Sequence, residues 1–105
     1  MSEDARVVLV YPKAQEDIAE SADFIARDSP DAALRFFDSV EATFQFLASH
    51  PETGSAREYS APALKGTRVW PVKDFENWLI FYQVAGPKIL VIRVLHGARD
   101  IDHLP

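Results

Sequence analysis

The stretch Trp78–Asp100, WLIFYQVAGPKILVIRVLHGARD, limits the fold more than any other part of the chain. It holds two apolar runs, Trp78–Val84 and Ile89–Leu95, joined by Ala85-Gly86-Pro87-Lys88. Both runs are too short for independent helices and rich in β-branched and aromatic residues, so they read as a β-hairpin. The second run has no polar residue before Arg93, which marks a central strand with neighbours on both sides. Regular pleating puts Ile89, Val91, Arg93 and Leu95 on one face and Leu90, Ile92, Val94 and His96 on the other. Arg93 is then a charge inside an apolar strand, and Asp100 or Glu76 is its expected partner, since buried charges need one. His96-Gly97-Ala98-Arg99-Asp100 follows where the strand ends, a place from which polar groups face a partner or substrate.

Upstream, two helical stripes supply the layer that covers such a sheet. Ala14, Ile18, Ala22 and Ile25 recur at helical spacing over residues 13–26. Glu16 and Asp17 sit near that helix's N-terminus, where the dipole favours negative charge. Ser29-Pro30-Asp31 has the residue order of a helix start, an N-cap followed by proline and an acid. The second helix, residues 30–49, carries Ala33, Phe36, Phe37, Val40, Phe44 and Leu47 as one stripe and should dominate the core. A short joint makes the two helices an antiparallel hairpin. Before them, Arg6–Tyr11 reads as a strand ended by Pro12. After them, residues 51–66 hold two prolines and two glycines and read as a mobile or partner-contacting loop. Thr67–Val72 is a further strand, with Pro71 marking an edge or a bulge.

The expected order is therefore β-α-α-β-β-β, an α+β single domain with the helical hairpin on one face of a small antiparallel sheet. A chain of 105 residues, 48% of them hydrophobic, fits one domain with a real core. It has no cysteine, hence no disulfide or thiolate metal site, and His50, His96 and His103 lack tight ligand spacing. No metal, cofactor or membrane span is expected. The net charge of −5 disfavours a protein that coats nucleic acid. Residues 1–50 carry net −6 and residues 51–105 net +1, so positive contact groups belong to the second half.

The order of short motifs carries a family resemblance. They are Ala14-x-x-Asp17-Ile18, Ala33-x-x-Phe36, His50-Pro51-x-x-Gly54, Leu64-x-Gly66-x-Arg68, Ile80-Phe81-Tyr82 and Ile92-Arg93-Val94-Leu95-His96-Gly97-Ala98-Arg99-Asp100. Together they resemble the ParE/RelE toxin superfamily, in its ParE or plasmid-stabilisation branch, across nearly the whole chain. The resemblance implies a cytoplasmic toxin of a type II toxin–antitoxin module that arrests growth and assembles with a ParD-like antitoxin. It implies DNA gyrase as the target, poisoned by binding and without catalysis. The antitoxin then supplies the DNA-binding part, and this chain makes no sequence-specific nucleic-acid contact of its own.

On that reading, Arg68, Trp70, Arg93, His96, Arg99 and Asp100 are the expected target- or partner-binding residues, and none is catalytic. The alternative is a RelE-like ribosome-dependent mRNA endoribonuclease using His96, His103, Arg93 and Arg99. Such chemistry needs a base, an acid and positive charge for the phosphorane-like transition state. The acidic chain and a tail without tyrosine disfavour it. A third possibility is a toxin-fold member with no remaining activity.

Overall fold

The computed structural model describes residues 5–56 and 58–97. Strand β1 (Val7–Val10) leads into helices α1 (Pro12–Ala26) and α2 (Pro30–Ser49). The two-residue β2 (Ser55–Ala56) and a 3₁₀ turn at Pro62–Leu64 follow, then β3 (Arg68–Val72), β4 (Phe75–Ala85) and β5 (Lys88–His96). Ser29 caps α2 as its sequence demands, its Oγ accepting from the Ala32 amide at 3.1 Å.

The sheet order is β1-β5-β4-β3-β2. The hairpin and the β3–β4 pair are antiparallel as expected, and β5 is central. Gly86 stands first in the two-residue hairpin loop with φ 58°, the left-handed backbone such a turn requires. Two features differ from the expected antiparallel sheet. The sheet is mixed, because β1 lies parallel to β5, Val8 opposite Ile89 and Val10 opposite Val91. The segment after α2 also contributes an edge strand, β2, against Val69 and Arg68. Pro71 lies past the end of that pairing, at a register shift, where its missing N–H goes unneeded.

The pleat of β5 is not regular. Val91 stands opposite Tyr82 and Arg93 opposite Phe81, so Ile92 is an extra residue in a bulge. Beyond the bulge the alternation is reset. Ile89, Val91 and Val94 all join the helix-side core, and Leu95 packs with Val69 and Phe81 in the smaller cluster. The expected grouping of Leu95 with Ile89 and Val91 is thereby corrected.

The main core sits between helices and sheet, with Phe36, Leu47, Ile80, Tyr82 and Ile89 fully buried. Phe36 meets Phe75 and Trp78 edge-on, with centroids 5.2 and 5.5 Å away. Phe37, expected in the same stripe, is 46% exposed. It is set about 100° round the helix from Phe36, off the face that Ala33, Phe36, Val40, Phe44 and Leu47 bury.

The segment after α2 is pinned at Pro51, Gly54 and Ala63 and not merely looped out. The buried Tyr82 hydroxyl donates to the Pro51 carbonyl at 2.8 Å and accepts from the Gly54 amide at 2.9 Å. The Gln83 side-chain amide donates to the Ala63 carbonyl and the Thr67 hydroxyl, both at 2.9 Å. A Cβ on Gly54 would stand 2.5 Å from the Tyr82 oxygen. Neither group can yield without losing these bonds, so Gly54→Ala is expected to cost about 1–3 kcal/mol, measured by urea unfolding.

Candidate functional site

The expected site residues separate into three places. Arg68 projects from β3 back over the loop that follows α2. Its guanidinium donates to the carbonyls of Gly54 at 2.7 Å and Glu52 at 3.1 Å. Together with Tyr82 it closes the Pro51–Gly54 turn, so the motif spacing His50-Pro51-x-x-Gly54 with Arg68 describes one hydrogen-bonded unit.

Burial pushes the Tyr82 hydroxyl above its ordinary range, against a smaller opposing effect of the Gly54 bond and the Arg68 charge. The folded chain therefore holds that proton more tightly than the unfolded chain does. The stability this contributes is fully present below the unfolded tyrosine value, about 10, and is lost as pH rises beyond it. Ionised Tyr82 could no longer donate to Pro51. Unfolding midpoints should thus fall above about pH 10 in the native chain, and fall less in Tyr82→Phe.

Trp70 is the second place. It is half-buried on β3 and stacks on Phe46 of α2, centroids 6.0 Å apart, and Phe46 stacks in turn on His50 at 4.6 Å. Phe46 is 41% exposed, so this ladder is open to solvent. It borders an apolar pocket of about 390 Å³ that includes Ala42 and Pro71, with Lys73 and Glu76 also in its wall.

The third place holds Arg93 and His96. Arg93 is nearly buried and forms a two-pronged ion pair with Asp17 of α1, Nε to Oδ2 at 2.7 Å and Nη2 to Oδ1 at 3.0 Å. Asp17 Oδ2 also accepts from the Val94 amide at 3.1 Å, which ties α1 to the strand just past the bulge. The Asp17 hydrogen bond drives the Arg93 value further upward, outweighing the opposing effect of burial, and Glu20 and Glu16 add to the same direction. Among the described residues the partner is thus Asp17 and not Glu76; Asp100 lies outside them. Nor does Asp17 serve the helix dipole, for it lies beyond the first turn of α1 and points into the protein. Its signal was present in the sequence: an acid set within the apolar stripe of Ala14, Ile18 and Ala22, matched by one arginine in an apolar strand.

His96 is exposed at the end of β5 and meets Trp78 edge-on at 4.5 Å. Both line a pocket of about 230 Å³ with Glu20, Ser21 and Phe24 of α1. Those three were not expected from the sequence. His103, Arg99 and Asp100 lie outside the described residues. Among the described residues no group of three His, Asp or Glu side chains is placed to hold a metal ion, and no helix is long and apolar enough to cross a membrane.

This architecture recurs in a solved chain of the "Chromosomal ParDE TA system from P. aeruginosa". That chain superposes with a TM-score of 0.70 at 18% sequence identity, over 91% of this chain and all of the other. The class defined by the fold is therefore that of small α+β domains with a helical hairpin on one face of a mixed sheet. The profile of the family described as "ParE toxin of type II toxin-antitoxin system, parDE" matches residues 8–101. The chain belongs to that family: it is a ParE toxin, and a ParDE system implies an antitoxin partner. No curated protein matches it at a significant level.

Proposed function

We propose that this toxin acts on DNA gyrase by binding, without catalysis of its own, and that a ParD-like antitoxin in the cytoplasm neutralises it. The observation that carries this reading is the commitment of Arg68 and Arg93, the two candidate arginines among the described residues. Stabilising a cleaving phosphate requires a cation free to face it. Arg93 gives Nε and Nη2 to Asp17, and Arg68 gives Nη1 to two loop carbonyls. His96 packs its ring against Trp78. A binder needs none of these groups to be free. It needs a stable surface, and the open Phe46–Trp70 ladder and the Trp78–His96 pocket provide aromatic anchors of the kind enriched at interfaces.

Induction in growing cells separates the two chemistries. Gyrase poisoning should produce DNA breaks and a DNA-damage response before any loss of full-length messages, and antitoxin should reverse it. Early messenger cleavage on ribosomes, with intact DNA, would replace this reading with the ribonuclease one.

A further inference from the structure

The pocket between α1 and the ends of β4 and β5 has a chemistry of its own. At about 230 Å³ it is smaller than the roughly 300–1,000 Å³ of small-molecule sites, so it suits a single side chain. Two of its walls are aromatic, the half-buried Trp78 and Phe24, which is 57% exposed although large and apolar. Its polar lining is Glu20, Ser21, His96 and Asp17. Asp17 is paired with Arg93, so among the described residues Glu20 is the acid of the lining without an ion-pair partner. The Phe24 ring already takes a guanidinium in this fold, for Arg27 Cζ stands 5.9 Å from its centroid.

We propose that this pocket receives an arginine side chain of the antitoxin, stacked against Trp78 and Phe24 and paired with Glu20. The inference rests on the reading that an antitoxin neutralises this chain. Arginine fits better than lysine, because its planar fork both stacks on rings and pairs with a carboxylate. The antitoxin is the fitting source, because a ParDE toxin implies an antitoxin partner and the Glu20 carboxylate beside two rings calls for a basic side chain. Contact here also runs opposite to the charge pattern in the sequence: the acidic helical half receives the base, while Arg68 and Arg93 of the positive half are already occupied.

The test is the affinity of the full-length antitoxin encoded beside this toxin for native toxin, Glu20→Gln, Phe24→Ala and the control Glu41→Gln, by titration calorimetry. Glu20→Gln should weaken binding about tenfold or more, and one antitoxin Arg→Ala should show the same loss without adding to it. Phe24→Ala should also weaken binding, and Glu41→Gln should not. Native affinity in Glu20→Gln would overturn the proposal while leaving the antitoxin reading intact. So would a loss of gyrase inhibition with antitoxin affinity unchanged, which would make the target the occupant. A change in thermal stability without a change in affinity would give Glu20 a role within the fold and overturn it too. Failure of native toxin to bind the antitoxin would instead remove the reading beneath it.

Discussion

Asp17→Ala is expected to destabilise the toxin by about 3–5 kcal/mol, the cost of leaving one member of a buried ion pair alone. The change strips Arg93 of both its bonds and the Val94 amide of its acceptor. Arg93 is 9% exposed and Asp17 6%, so little water can replace what is lost. A loss of that size is a large share of the roughly 5–15 kcal/mol that holds most domains. Urea unfolding should show a lower midpoint with unchanged slope. The double variant Asp17→Leu with Arg93→Met should recover much of the loss, since packed apolar pairs often match buried ion pairs. The double variant also separates structure from contact. If Arg93 serves only to fasten α1 to β5, the refolded double variant stays toxic. If its charge meets the target, toxicity is lost although stability returns.

Phe36→Ala is expected to cost a similar amount, about 3–5 kcal/mol, through lost burial and the cavity left behind. Phe36 is fully buried and is the ring on which both Phe75 and Trp78 rest. Its removal should therefore loosen Trp78 and, through it, His96, which leans on the indole. Near-UV circular dichroism should weaken alongside the drop in urea midpoint. Phe36→Leu should keep most of the stability and most of the tryptophan signal.

How far the sequence speaks for itself varies by residue. The hairpin and α2 could be placed closely, because Ser29-Pro30, Gly86-Pro87 and the phenylalanine stripe are local signals. The parallel seat of β1 beside β5 could not, for Val7 and Lys88 are separated by almost the whole chain. Nothing local distinguishes an edge strand that pairs with β5 from one that pairs with β3. The bulge at Ile92 was hidden for a related reason. An unbroken apolar run has no polar residue to show where its alternation slips. Arg93 was recognisable as a charge needing a partner, yet Asp17 lies 76 residues away and only the packing of α1 on β5 joins them. The small pocket was the least legible feature. Glu20 and Phe24 look like an ordinary exposed helix face until Trp78 and His96 arrive beside them.

These placements favour a surface over a reactive centre. Arg68 and Tyr82 hold the turn after α2, Arg93 and Asp17 hold the helical layer to the sheet, and the aromatic edges left open are those able to touch another protein.

The most direct test of action by binding is gyrase supercoiling in vitro, with purified toxin titrated over fixed enzyme and antitoxin added back. The expected result is inhibition that trapped, cleaved DNA accompanies and that antitoxin relieves. Undiminished supercoiling at toxin concentrations that stop growth in cells would contradict it.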